Sequence, residues 1–339
     1  MNPGAKVDAS VTPFHEPLVA PGDVVADKYR IDAVVGRGGM STVYRATHLH
    51  LDQLVAIKVL SPAALVMPEY VARLKREARA ATRIRSQHVV RIFDIGELPG
   101  RGVPYLVMEH LTGADLAAVL ARRGPLPVHL AVECILQVCE ALAEAHALGI
   151  IHRDLKPANL FRSRQGLVYV LDFGLARALQ PEEDTPISSI NTPLGTLGFM
   201  APEQAQGRWD LIAPTTDLYA VAATLLKLAT GLDVYDATDP HERFLLSTTR
   251  PAPPLTQRGV ALPIELCRIL DRGLAFAQRD RWESAKAFRE ALERWQDQLH
   301  AGPIAPAREL PPWLLRTAIA VGGALIGVLI AYVWLALRK

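Results

Sequence analysis

The chain is predicted to be an α+β protein, with a β-rich front, an α-rich back and one C-terminal transmembrane helix. Three observations carry this. Short β-branched runs around a glycine cluster dominate residues up to about 108; apolar segments at helical spacing dominate about 112–299; and Thr317–Leu337 is a run of 21 residues without a charge.

A length of 339 residues allows one large or two modest domains, and 50% apolar residues are enough for most of it to fold. The net charge of +2 is nearly balanced and no Lys/Arg run marks a nucleic-acid surface, so no nucleic-acid partner is expected. Cys134, Cys139 and Cys267 are odd in number and lack metal-site spacing, which suits small buried hydrophobes in a reducing compartment. Residues 1–22 contain Pro3, Pro13, Pro17 and Pro21 with no apolar block, and are expected to be a disordered leader rather than a signal peptide.

Val34 to Tyr44 places apolar residues on both sides of Gly36, Gly38 and Gly39, as in two strands joined by a glycine-rich turn. Backbone N–H groups there can approach a phosphate closely. A dinucleotide fingerprint needs the glycines to open a helix, and Thr42 to Ala46 looks extended instead. Leu54–Leu60 is a strand whose alternation puts Ala56, Lys58 and Leu60 on one face. If that face is covered, the Lys58 ammonium needs an anionic partner. Glu69 to Ile84 has the spacing of a helix with Leu74, Ala78 and Ala81 inward, and Glu77 on its border is the expected partner of Lys58.

Tyr105–Met108 is a short strand broken by Glu109 to Gly113. Leu130 to Leu148 is a helix stopped by Gly149. Then comes His152-Arg153-Asp154-Leu155-Lys156-Pro157-Ala158-Asn159, a loop because of its proline, with an acid, a cation and an amide in eight positions. Only eight of the 37 basic residues are Lys, which gives Lys58 and Lys156 weight. Leu167–Leu171 is a strand that ends at Asp172-Phe173-Gly174. Gly174 to Ala201 is a hydroxyl-rich loop with three prolines, and Asp217 through Gln298 forms helices broken at Gly231, Pro251, Pro253, Pro254 and Pro263.

Glycine loop, strand Lys, helix Glu, Asp/Lys/Asn loop and Asp-Phe-Gly turn, in this order and spacing, resemble the protein Ser/Thr kinases of the bacterial, membrane-anchored, eukaryotic-like kind, over about Gly22 to Leu299. The resemblance implies a bilobal fold, with an N-lobe of about 23–108 and a C-lobe of about 112–299. It implies ATP with Mg2+, Mn2+ being an alternative, and protein substrates bearing Ser or Thr. Gly36, Arg37, Gly38 and Gly39 would cover the phosphates, Lys58 would bind the α/β-phosphates and Glu77 would orient it. Val43, Ala56, Met108, Leu111 and Phe161 would enclose adenine, with backbone groups of Glu109 and Leu111 as its hydrogen-bond partners.

By the same resemblance Asp154 takes or orients the substrate hydroxyl proton, Lys156 supports the γ-phosphate, and Asn159 and Asp172 hold the metal. Glu203 of Ala201-Pro202-Glu203 pairs with Arg281, and Asp217 steadies the catalytic loop. Arg153 implies activation by loop phosphorylation, with Ser188, Ser189 and Thr192 as candidate sites and Thr196 as the substrate-positioning Thr. Ser41 replaces the loop's third glycine, Phe199 stands where Tyr is usual, and Leu218 to Ala222 lack the usual Ser and Gly of that helix. None of these touches Lys58, Glu77, Asp154, Asn159 or Asp172, one of which a kinase-like scaffold without activity generally lacks.

Ala301 to Pro312, with four prolines, is a stiff linker (residues 300–312), and residues 313–337 form the membrane span, flanked by Trp313, Tyr332, Trp334, Arg316, Arg338 and Lys339. The flanking charges balance, so orientation follows from ATP: a single-pass inner-membrane protein, its kinase body cytoplasmic and only a minimal tail outside. Gly323, Gly327 and Ala331 share a helix face that would suit a homodimer.

Overall fold

The computed structural model describes residues 18–38, 41–65, 71, 74–75, 78–79, 81–173, 198–237 and 239–300. The chain divides into two compact units, Met1–Trp295 and Gln296–Lys339; the described residues of the second, 296–300, are helical. Among the described residues no helix is long and apolar enough to cross a membrane, and the span assigned to 313–337 lies outside them, as does Gly323/Gly327/Ala331.

The first unit begins as an antiparallel sheet of six strands: β1 (Val24–Val25), β2 (Tyr29–Arg37), β3 (Ser41–His48), β4 (Gln53–Leu60), β5 (Ile92–Leu98) and β6 (Val103–Glu109), in the spatial order β1-β2-β3-β4-β6-β5. β2 and β3 pair as the glycine turn requires, Gly36 opposite Val43. β4 is central, and its last six residues are all buried, because both faces are covered. Val55, Ile57 and Val59 join Tyr29, Ile31, Tyr44 and Val107 in one core. Leu60 meets Leu106, Leu74 and Ala78 in another. Val71, Leu74, Lys75, Ala78, Arg79 and Ala81 are helical, with Leu74, Ala78 and Ala81 inward as their spacing requires.

One boundary is corrected. Residues 18–22, assigned to the leader on their prolines, are part of the fold. Val19 is 7% exposed and belongs to the sheet's core; Gly22 N–H donates to Ile31 O at 2.8 Å; the Arg101 guanidinium holds Leu18 O at 3.0 Å. Backbone bonds to a neighbouring strand need no apolar run, so composition could not reveal them.

The helical part holds α2 (Leu116–Arg123), α3 (Val128–Ala147), α4 (Pro202–Ala205), α5 (Pro214–Thr230), α6 (Pro240–Thr249), α7 (Ile264–Gly273) and α8 (Ala285–His300), with α1 (Pro62–Leu65) back in the sheet layer. A small antiparallel sheet, β7 (Gly113–Asp115), β8 (Leu160–Ser163) and β9 (Val168–Val170), sits with them. α3 ends as its sequence requires: Gly149 takes φ +73°, Gly149 N–H donates to His146 O and Ile150 N–H to Ala145 O. α3 and α5 are the axis of the larger core, each large apolar side chain buried there contributing roughly 1.5–3 kcal/mol. This is a bilobal arrangement of β-sheet lobe and helical lobe.

Candidate active site

The sheet supplies one wall. Register places Val43 opposite Lys58, Ala56 opposite Met108 and Lys58 opposite Leu106, and directly opposed residues share a face, so Val43, Ala56, Lys58 and Met108 form one surface. Val43, Met108, Leu111 and Phe161 are only partly buried, which leaves apolar area for a ligand. Glu109 N–H donates to Arg91 O at 2.9 Å, so a nucleobase would have to use its carbonyl. In the glycine turn, a Cβ on Gly36 would meet only the Cβ of Val43 at 3.9 Å, and one on Gly38 only Ser41 O at 3.5 Å. Neither has a positive φ. Among the described residues nothing demands glycine there, whereas a close approach from outside would.

Lys58 is 6% exposed on a covered face, and its ammonium meets Asp172 Oδ1 at 2.7 Å, across 114 residues. The expected partner, Glu77, lies outside the described residues, as do Gly39, Ser188, Ser189, Thr192 and Thr196.

The other wall is the loop after α3. Lys156 Nζ meets Asp154 Oδ1 at 3.0 Å and Oδ2 at 2.9 Å, and Asn159 Nδ2 donates to Asp154 O at 2.7 Å and Oδ2 at 3.0 Å. Pro157–Asn159 form a 3-10 turn that brings this about. Leu171 N–H donates to Asn159 O at 2.9 Å, which sets Asp172 beside Asn159 at the end of the β8–β9 pair. Asn159 spends its amide hydrogens on Asp154, and among the described residues no hydrogen bond engages its Oδ1. An amide oxygen and a carboxylate on adjacent strand ends suit Mg2+, which binds through few protein oxygens and completes its shell with water and phosphate. No group of three or more His, Cys, Asp or Glu suited to a metal occurs among the described residues.

The loop is strained and held from behind. Arg153 has φ +70° and Asp172 φ +60°, conformations that cost a side-chain-bearing residue about 1–3 kcal/mol each. Asp217, on the first turn of α5 and fully buried, accepts Arg153 N–H at Oδ1 (2.7 Å) and both His152 N–H (2.9 Å) and His146 Nε2 (2.8 Å) at Oδ2. Burial alone would raise its carboxyl, but the hydrogen bond and charge of His146, with His152 and the Arg153 N–H, outweigh this and hold it below the usual range. The His152 ring donates from Nε2 to Leu171 O at 2.7 Å and accepts Asp154 N–H at Nδ1 (3.3 Å), its face packed edge-on to Phe173.

Glu203 and Arg281 form a buried bidentate pair at 2.8 and 2.7 Å, joined by Thr216 Oγ1 at 2.8 Å; the remaining guanidinium donors reach Ala275 O, Thr215 O and Phe276 O. Burial raises the Glu203 carboxyl, and Arg281's hydrogen bonds and charge more than reverse it. Two residues escaped the sequence reading. His146 faces Asp217, and Gln204 donates from Nε2 to Arg153 O at 2.8 Å. The Ala201-Pro202-Glu203 motif pointed to Gln204's neighbour but carried no signal for Gln204.

A family model described as "Protein kinase domain" matches residues 29–287. The chain is 36% identical over 294 residues to the serine/threonine-protein kinase pkn3 of Myxococcus xanthus, covering 85% of this chain and 53% of the relative. It is 32% identical over 286 residues to the serine/threonine-protein kinase PknB of Mycobacterium leprae, covering 83% and 45%. The chain thus spans about half the length of these curated relatives. The solved kinase domain of PknI from Mycobacterium tuberculosis superimposes with a TM-score of 0.63 at 28% identity, over 81% of this chain and 99% of that domain.

Proposed function

The chain belongs to the protein kinase family, and from that premise we propose that it is an ATP- and Mg2+-dependent kinase of Ser and Thr hydroxyls on proteins, anchored in a membrane. In the reaction the substrate hydroxyl oxygen bonds to the γ-phosphorus, the bond to the β–γ bridging oxygen breaks, and ADP leaves. Asp154 orients the hydroxyl and takes its proton. Lys156, already beside Asp154, stabilises charge on the transferred group, and Lys58 holds the α/β-phosphates with Glu77 orienting it. Asn159 and Asp172 would hold Mg2+, which when bound neutralises phosphate charge. Gly36, Arg37, Gly38 and Gly39 cover the phosphates; Val43, Ala56, Met108, Leu111 and Phe161 enclose the adenine.

The observation that carries this reading is the Asp154 carboxylate gripped by Lys156 and Asn159, with Lys58 reaching from the facing sheet to Asp172 beside them. Incubation with γ-labelled ATP, Mg2+ and a generic basic protein tests it. Label transfer is expected, and its loss in Asp154→Asn and Lys58→Met; no transfer from any sample contradicts it.

Residues 313–337 cross the inner membrane, with the kinase body on the ATP-containing side, and Gly323, Gly327 and Ala331 pair two copies so that each phosphorylates the other among Ser188, Ser189 and Thr192. Alkaline carbonate should leave the full chain in the membrane and release one ending at Pro312; release of the full chain contradicts the anchor.

A further inference from the structure

The peptide unit that joins Arg153 to Asp154 is fixed at both ends. Its carbonyl accepts Gln204 Nε2 at 2.8 Å, and its N–H donates to His152 Nδ1 at 3.3 Å. A peptide is planar, so fixing both ends sets the plane from which the Asp154 side chain departs. The unit follows a residue at φ +70°, a conformation that persists only when the surroundings enforce it.

Gln204 comes from α4, directly after Ala201-Pro202-Glu203, and is 3% exposed. Its Oε1 accepts Ala201 N–H at 3.2 Å, the return bond of a glutamine in a helix's first turn, while its Nε2 crosses to the loop. One buried amide therefore spends its acceptor on the stretch leading into α4 and its donor on Arg153 O. Only a group with both functions and this reach can do so: Glu has no donor when ionised, Met has neither function, and Asn is one methylene shorter. Fifty-one residues separate the two partners along the chain.

We propose that Gln204 is a positioning residue for phosphoryl transfer: it sets the orientation of Asp154 and makes it conditional on α4 and Ala201 being seated. The proposal rests on the reading of Asp154 as the group that takes the hydroxyl proton. Gln204 acts through the Arg153 carbonyl and touches no reacting atom.

Single-turnover and steady-state kinetics of the full chain test this with Gln204→Met, Gln204→Glu, Asp154→Asn and the double variant Gln204→Met with Asp154→Asn. The expected result is a fall in kcat of about tenfold to a hundredfold in both Gln204 variants, with KM for ATP unchanged. In the Asp154→Asn background Gln204→Met should cost nothing further, because the group it orients is already gone. Gln204→Glu retains the bond to Ala201 N–H and so decides the matter if Gln204→Met does not fold. Unchanged kcat, a loss confined to KM for ATP, or an equal loss in the Asp154→Asn background overturns the proposal. If Asp154→Asn itself transfers phosphate at the native rate, the reading of Asp154 falls, and this proposal with it.

Discussion

Asp217 faces no substrate, yet it accepts three hydrogen bonds from the end of α3 and the catalytic loop, while Glu203 does the same service for Arg281 and Thr216. Both carboxyls have folded pKa values below their ordinary values of 3.8 and 4.5. The unfolded chain therefore binds the proton first, and the stability each contributes is fully present above about pH 4.5 and lost as pH falls through the folded value. Removing one charge of the buried Glu203–Arg281 pair by Glu203→Gln should cost about 3 kcal/mol at pH 7, read from urea midpoints. The gap from wild type should hold from pH 8 to 5 and narrow below about 4.5. A gap independent of pH down to 3 would contradict it. Lys58, Asp154, Lys156, Asn159 and Asp172 could be singled out in the sequence because the order of their motifs along the chain resembles the kinase signature, which proposes a role for each. Gln204 and His146 were not, since their roles arise from contacts 51 and 71 residues away.

At the scale of elements, Leu218 to Ala222 of α5 lack the Ser and Gly usual in the helix they resemble, and Ala222 packs closely against α7. A Cβ on Gly273 of α7 would lie 2.6 Å from the Ala222 Cβ, so the space one helix fills the other concedes. Gly273 has no positive φ and needs glycine only for this approach. Gly273→Ala should lose about 1–3 kcal/mol through overpacking, more than the gain in helix propensity. Adding Ala222→Gly moves the methyl across and should restore most of it. Additive losses in the double variant would contradict this packing account. The sequence shows several helices after Asp217, with breaks at Gly231 and Pro263 that lie beside the ends of α5 and α7, but a pairwise exchange of volume between two helices has no periodicity to read. The strands of three or four residues in β7, β8 and β9 are likewise too short for alternation; only β9 was anticipated, inside Leu167–Leu171.

At the scale of the molecule, β front and α back were legible because hydrophobic periodicity changes near Glu109, where the sheet ends and the helical core begins. Residues 18–22 were misjudged because a single buried valine, backbone bonds and one arginine attach them to the sheet, with no apolar run to reveal it. Burial in the helical core pushes the Cys134 thiol up to about 11 and the Cys139 thiol up to about 12, so neither should react with a thiol reagent at pH 8 until the protein unfolds. Prompt labelling of Cys139 in the native chain would contradict that packing. The central claim is that Asp154 serves transfer, whereas nucleotide is held by groups around it. Its most direct measurement is nucleotide affinity and single-turnover phosphoryl transfer on the same samples of wild type and Asp154→Asn. The account predicts similar affinity for ATP with Mg2+ in both and a transfer rate at least about a hundredfold lower in the variant. Equal transfer rates, or a wild type that binds nucleotide and transfers nothing, would contradict it.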